Sequence, residues 1–407
     1  MGKKQAVKQE RPDLGNVYEE TIRRFKRLYN DDYDSYSISF SGGKDSNLVL
    51  RLALEAYRSD DVDMEGKPLH ILHIDDEVVL PETEEFVKEV AQIDEVYMWW
   101  VCMPTKYRNG NTNEIQDGWW YPWHPDKEDM WVRDMPREFC EETEGCELVT
   151  MDHPRMKNTV AYNDVHGFQF GKHQHSNVSS FLFADEHECP VTGEKMGITA
   201  EMTGIRTHES MTRYQAIVTR GSWRMMPDEA FMDRNGICVC HPVYDWTDRD
   251  LWHAHKKFDW SYNGAYDKQR QIGLAPADMR TAHPYSEEAV KNRNFDELRE
   301  AWPEHYERAK GRVPGSDLGF ELGGQIIRKT KRDDQSWKER CAEVIANIEN
   351  PKIKEKQERR VQRAIDNHAK HSTEPLSETS NCPLCGHSWA SIAGSLAKGD
   401  LKGRGGL

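Results

Sequence analysis

Apolar and polar residues follow two rhythms along this chain, and the rhythms alternate. Residues 1–13 are polar and carry neither. From Asn16 to Tyr29 the apolar positions Val17, Ile22, Phe25 and Leu28 recur at helical spacing, which predicts an amphipathic helix. Tyr36 to Phe40 then reads as a short strand with Ile38 and Phe40 on one face. Leu48, Val49, Leu52, Ala53 and Ala56 form one helical stripe after it. The alternation repeats with a strand over Leu69 to Ile74, a helix from about Glu82 burying Phe86, Val87 and Val90, and a strand near Val96 to Val101. It resumes later with a strand ending in Thr203-Gly204-Ile205-Arg206, a helix from about Thr207, a strand near Ile237 to Val243 and a helix over Asp248 to Lys257. Strands separated by helices at this spacing predict an α/β fold, a parallel twisted sheet flanked by helices with right-handed crossovers.

Between residues 102 and 188 both rhythms fade into Trp, Tyr, Pro, His and Gly, including Trp119-Trp120-Tyr121-Pro122-Trp123-His124-Pro125. So long an aromatic insertion is either a lid over a site or a core of irregular loops. Beyond Pro284 the pattern is mostly helical, and the residues from about Ala393 are rich in glycine. The expected organisation is a tail and helix over 1–35, a nucleotide-binding domain over 36–285 containing the insertion, a helical extension over 286–372 and a cysteine-bearing tail over 373–407.

Ser41-Gly42-Gly43-Lys44-Asp45-Ser46 stands where the first strand ends and a helix begins. Two glycines there permit positive φ and close backbone approach. The N–H groups and positive dipole end of the helix favour an anion, Lys44 adds a full charge, and Ser41 and Ser46 add hydroxyl donors. Asp45 suits this place by capping the helix or by sharing a Mg²⁺ with a nucleotide. The plainer alternative is a Gly-Gly turn with an ordinary N-cap. The spacing is not that of Walker A, and no G-x-G-x-x-G occurs. In a parallel sheet ligands bind at the carboxyl ends of strands, where Asp75 and Glu77 would also lie.

Composition limits the possible functions. The 407 residues are 37% hydrophobic and 31% charged, as in a folded protein with a sizeable core. No apolar run reaches the roughly 20 residues of a membrane helix, and the first residues lack a signal-peptide core, so a cytoplasmic protein with no membrane partner is expected. A net charge of −15 argues against a general nucleic-acid coat. Residues 324–371 depart from that balance, with 13 Lys and Arg against 8 Asp and Glu. They end in the basic helix 352–363, with Lys354, Lys356, Arg359, Arg360 and Arg363, which is either a solvated face or a local contact for nucleic acid or an acidic partner. Nine unevenly spread cysteines suggest thiols or metal ligands rather than a disulfide framework.

Ser41 to Ser46 resembles the PP-loop of the ATP pyrophosphatase superfamily, whose members bind ATP or a related adenine nucleotide and often cleave between the α- and β-phosphates. Three further segments are similar to those of phosphoadenosine phosphosulfate reductases: Asp75-Asp76-Glu77 with Leu80-Pro81-Glu82-Thr83; Gly204-Ile205-Arg206-Thr207-His208-Glu209-Ser210-Met211-Thr212-Arg213; and His241-Pro242-Val243-Tyr244-Asp245-Trp246-Thr247 with Asp250-Leu251-Trp252. The resemblance covers roughly residues 36 to 285 and implies an adenine nucleotide alpha hydrolase-like fold. It implies nucleotide contacts from Ser41, Gly42, Gly43, Lys44, Asp45, Ser46, Asp75, Glu77, Gly204, Arg206, Glu209 and Arg213, with Lys44, Asp45 and Arg206 closest to the chemistry. Arg206 would hold a phosphate or sulfate bidentately, and Glu209 would fix Arg206 or assist a metal. Alternatively Thr207 is an N-cap, Glu209 a first-turn acid and both arginines are surface residues. Trp246 and Trp252 read as core. Within the family the chain is most similar to the immunoglobulin-binding regulator A type, which implies a ParB/sulfiredoxin-like partner.

One departure matters for the reaction. Sulfonucleotide reductases carry a mobile C-terminal cysteine in a Glu-Cys-Gly-Leu-His-like segment, and this chain has none. Its late cysteines are Cys341 and the pair in Cys382-Pro383-Leu384-Cys385-Gly386-His387, which reads as half of a zinc knuckle. Cys238, Cys240, His241 or Cys189 are candidates for the remaining ligands. An iron–sulfur cluster or a redox pair is the alternative to zinc. Three functions follow: a Mg²⁺-dependent enzyme acting at the α-phosphate of ATP, a sulfonucleotide reductase, or a nucleotide-sensing regulator.

Overall fold

The computed structural model describes residues 16–30, 33–109, 119–157, 168–170, 172, 174–184, 186–209, 213–214, 217, 237–274, 279–281, 294–313, 335–346, 348, 351–380, 382 and 384–397. It divides into two units, residues 1–107 with 121–282, and 108–120 with 283–407.

The first unit is built on six strands: β1 (Ser35–Ser39), β2 (Leu69–Asp75), β3 (Val96–Cys102), β4 (Cys146–Val149), β5 (Thr199–Met202) and β6 (Ile237–Cys240). Every pairing is parallel, in the order β4-β3-β2-β1-β5-β6. Register brings Ile38 opposite Ile71 on one side of β1 and Met202 on the other. This is the parallel α/β sheet flanked by helices that the sequence predicts. β1 lies in the middle of it, where the strand order reverses, and such a reversal opens a crevice above the strand ends.

Successive residues of β3 serve opposite faces, as the pleat requires. Met98, Trp100 and Cys102 join the core that packs under α1 (Val17–Tyr29), α2 (Lys44–Tyr57) and α3 (Pro81–Ala91). Trp99, Val101 and Met103 join a second cluster with Val149, Val178, Phe181, Leu182 and Phe183. The aromatic insertion is therefore part of the sheet unit except for residues 108–120, which belong to the second. It contributes the edge strand β4, which the fading periodicity concealed, and the short helix Val178–Leu182 that covers the second face.

The helix ends obey local chemistry. Asn16 caps α1 by accepting from the Glu19 amide at 2.9 Å. Thr247 and Asp250 form a capping box at the start of Asp248–Lys257, the span expected for that helix. Trp246 is buried and its Nε1 donates to Thr21 Oγ1 at 2.8 Å, in keeping with a core role. The helix expected from about Thr207 begins instead as a turn over 207–209. Thr207 is anchored there, its amide and hydroxyl both donating to the Tyr244 carbonyl, at 2.8 and 2.9 Å. Ser210, Met211 and Thr212 lie outside the described residues.

In the second unit the described helices are Asn294–Ala301, Pro303–Arg312, Trp337–Ala346, Pro351–Ala369 and Trp389–Ala397. The last three share a small core of Cys341, Val344, Ala364, Ile392, Ala393 and Leu396. Among the described residues no helix is long and apolar enough to cross a membrane.

Candidate nucleotide site and cysteine centre

The turn from β1 into α2 is shaped by glycines that have no room for a side chain. Gly42 has φ +73°, and a Cβ there would come within 2.8 Å of Thr83 Cγ2. Gly204, just past β5, presses so closely on the start of α2 that a Cβ would lie 2.7 Å from the Asp45 carbonyl carbon. Gly43 is the N-cap of α2 and gives the helix no side-chain cap. The Lys44 amide donates to the Tyr266 hydroxyl at 2.7 Å, and Asn263 Nδ2 donates to the Gly42 carbonyl at 2.9 Å and to Thr83 Oγ1 at 2.8 Å. Ser46 Oγ donates to the Gly43 carbonyl at 3.0 Å and lies 3.2 Å from Ser41 Oγ. Ser41 is exposed while Gly42 to Lys44 are buried. The loop is thus held from outside by residues 263–266, which no motif in the sequence singled out.

Lys44 and Asp45 are not the exposed loop residues a free phosphate turn would present. Lys44 is 3% exposed, with Nζ 3.3 Å from Asp45 Oδ2. Arg206 Nε donates to Asp45 Oδ1 at 2.5 Å, its second amino group to Asp248 Oδ1 at 2.7 Å, and its third donor to the Trp246 carbonyl at 3.2 Å. Burial opposes the charge on Arg206, but Asp45 and Asp248 together raise its pKa. The expected bidentate anion clamp is therefore a buried buttress that aims Asp45 at the loop. Asp45 has one oxygen on each cation, with a quarter of its side chain still exposed. Glu209 lies 3.6 Å from Arg213 Nε as a half-exposed i,i+4 pair.

Asp75 and Glu77, the other expected nucleotide contacts, are fully buried beneath the insertion. Asp75 Oδ2 accepts from Trp100 Nε1 at 2.8 Å and from Arg133, and Oδ1 accepts from the Glu77 amide at 2.9 Å. Glu77, with φ +69°, accepts from the amides of Trp123 at 2.6 Å and Val132 at 3.2 Å. Burial alone would push the Asp75 carboxyl up, yet Arg133, His73 and Trp100 hold it below the usual carboxylate range. Burial and the Asp75 charge push neighbouring Asp76 well above it. These acids organise the aromatic segment over β2 and face protein, because Arg133 and the Trp123 and Val132 amides occupy their oxygens.

The cysteine centre lies in the second unit. Among the described residues one group of His, Cys, Asp and Glu side chains can converge on a metal ion: His368, Cys382 and Cys385, whose ligand atoms all lie within 4.8 Å of one another. The expected partners are elsewhere in the packing of the first unit. Cys238 Sγ is 4.0 Å from the Tyr33 hydroxyl, Cys240 Sγ faces the Cys238 carbonyl, His241 Nδ1 is 2.6 Å from Thr203 Oγ1, and Cys189 Sγ is 3.7 Å from His70 Nε2. Hydrogen bonds from the Cys385 and Leu384 amides pull the Cys382 thiol down to about 7. On the basic helix Arg359 pairs with Glu355, Arg360 is buried beside Gln357, and Arg363 is exposed.

No protein-family model matches the chain. It is 27% identical over 262 residues to the uncharacterized protein YbdN of Escherichia coli K12, covering 62% of this chain and 54% of that protein. The chain thus spans about half the length of that curated relative. Among solved structures it is similar to the U34-tRNA thiolase NcsA of Methanococcus maripaludis with its 4Fe-4S cluster, at 11% identity and a TM-score of 0.31, covering 74% of this chain and 80% of that one. It is also similar to a phosphoadenylyl-sulfate reductase of Candida auris in a phosphate complex, at 13% identity and a TM-score of 0.28, covering 64% and 93%. Likeness at this level carries no argument about reaction or substrate.

Proposed function

We propose that the chain is a PP-loop protein of the phosphoadenosine phosphosulfate reductase-like type, which binds ATP or a related adenine nucleotide with its phosphates on Ser41–Ser46 and acts at the α-phosphate. The observation that carries this reading is the backbone geometry of the loop. Gly42, Gly43 and Gly204 leave no side-chain volume at the mouth of β1, and the N-cap of α2, Gly43, offers no side-chain oxygen to the helix amides, of which that of Lys44 donates to Tyr266. Such a junction receives an anion on backbone N–H groups and on the positive end of the helix. A nucleophile would attack the α-phosphorus while the bond to the bridging oxygen breaks and pyrophosphate leaves. The loop amides and Lys44 would stabilise the charge on that leaving group. Asp45 and Arg206 hold Lys44 in place and are positioning residues in this scheme.

Sulfonucleotide reduction is the weaker reading, because Cys382 and Cys385 face His368 in a tight turn. The regulator A resemblance adds a third form, in which the site senses the nucleotide and a ParB/sulfiredoxin-like partner responds. The exposed Arg363 would serve a nucleic-acid contact. Calorimetric titration with ATP and with phosphoadenosine phosphosulfate, followed by product identification, separates these forms. ATP binding with release of pyrophosphate is expected, and Lys44→Ala should weaken binding about tenfold or more. Equal affinity in wild type and Lys44→Ala would refute the phosphate loop, and binding without turnover would favour the sensor.

A further inference from the structure

The donors at the C-terminal turn differ from those the sequence singled out, and the difference defines a site. His368 lies in the last turn of Pro351–Ala369, 14 residues before Cys382, and its Nδ1 is 3.3 Å from Cys385 Sγ. Its other nitrogen, Nε2, is 2.8 Å from the Glu374 carbonyl, an oxygen that can only accept. Nε2 therefore carries the proton, and Nδ1 presents its lone pair toward the two sulfurs. A backbone carbonyl fixing the tautomer of a ring is the usual support for a metal-ligating histidine. The turn bearing the thiols is itself closed by backbone bonds. Cys382 N–H donates to the His387 carbonyl at 2.9 Å and Gly386 N–H to the Cys382 carbonyl at 2.8 Å, with Gly386 at φ +75°. Around a tetrahedral zinc, neighbouring nitrogen and sulfur ligands stand about 3.5 Å apart and two sulfurs about 3.8 Å. The His368–Cys385 pair is already close to that spacing, and all three donors lie within 4.8 Å of one another.

From this geometry we infer that His368, Cys382 and Cys385 form a single-ion zinc site that clips the end of helix 351–369 to the 382–386 turn. Two thiolates and an imidazole converging on one point suit zinc, whereas iron–sulfur clusters are held mainly by sets of four thiolates. The clip also answers a deficit in packing. Among the described residues, the core shared by helices 337–346, 351–369 and 389–397 has six buried apolar residues with five partly buried ones packed against them, and cores so small commonly rely on a metal or disulfide staple. Between the helices, segment 374–388 is held by polar links, including Trp337 N–H to Glu378 Oε2 at 2.5 Å and Trp389 N–H to the Ser377 carbonyl at 2.9 Å. Zinc would fasten that segment at its far end.

His387, inside the cysteine motif, is the rival ligand, and it provides the discriminating test. Full-length protein purified without chelator should carry about one zinc per chain by elemental analysis. Its cobalt-exchanged form should show a tetrahedral spectrum with charge transfer from two thiolates. His368→Ala and Cys382→Ser should lose the ion on gel filtration, while His387→Ala keeps it. His368→Cys should keep it and strengthen the thiolate band of the cobalt form, which a merely packing histidine would not do. Removal of the zinc by chelation, followed by removal of the chelator and return of Mg²⁺, should leave segment 370–388 exposed to protease without changing ATP titration. The inference is overturned if the wild type carries no stoichiometric metal, if iron and sulfide are found, or if His387→Ala releases zinc while His368→Ala retains it. The wild-type cobalt spectrum decides the question even if the variants fail to fold.

Discussion

The carboxyl ends of β1 and β2 are neighbours in the sheet, yet they are finished in opposite ways. Above β1 the chain is stripped to glycine, with Ser41 at the surface and paired charges beneath it. Above β2 the acids Asp75 and Glu77 are roofed by Trp123, Trp131 and Arg133, and Arg133 also stacks over the Trp123 ring with its carbon 5.2 Å from the centroid. A strand end in a parallel sheet is an opportunity for a site. What the following segment places over it decides between a mouth and a plug.

Breaking the plug should have the largest effect. Asp75→Asn removes the nearer counter-charge of the largely buried Arg133 and leaves it with Glu84, 3.3 Å away, which is expected to cost about 3 kcal/mol. A denaturant midpoint equal to wild type would show that the β2 end is not sealed by this pair. The mouth should respond in binding as well as in stability. Gly204→Ala drives a methyl into the backbone of Asp45, at an expected cost of about 1–3 kcal/mol and with loss of ATP affinity. Normal melting and normal titration in that variant would contradict the close approach.

The smallest effect is a pH dependence within β2. Burial, then the charge of Arg155, lowers the pKa of His70 from an ordinary 6.5 to about 3. Its neutral ring accepts from Trp99 Nε1 at 3.1 Å. A depressed folded pKa means the contribution is complete above 6.5 and is lost as pH falls from there toward 3. Asp76, raised by burial, works in the opposite sense, so the comparison is between proteins. The stability advantage of wild type over His70→Gln should shrink steadily between pH 7 and 4. A constant difference would mean that His70 is not held neutral.

Strong local periodicity made β1, α2 and helix 248–257 legible in the sequence. β4 was hidden because four residues inside an aromatic stretch give no rhythm to count. The plug was hidden for a different reason. Asp75 and Arg133 are 58 residues apart, and only the folded insertion brings them together. Arg206 read correctly as a charge at a strand end, but not as a buried one, since its partners Asp45 and Asp248 lie on two distant helices. His368 sat at a plausible metal spacing from Cys382 and was passed over for cysteines nearer the sheet.

The central position of β1 also bears on how the protein is made. Ser35 pairs with Thr199, Arg24 holds Asp245 at 2.8 Å, and Thr21 accepts from Trp246. A ribosome must therefore synthesise about half of the chain before the first strand finds its partner on that side, and still more, as far as residues 245 and 246, before the first helix does. Until then one edge of β1 is unsatisfied and α1 has only part of its docking surface. Contacts of such long sequence separation slow folding and prolong the exposure of apolar surface during synthesis.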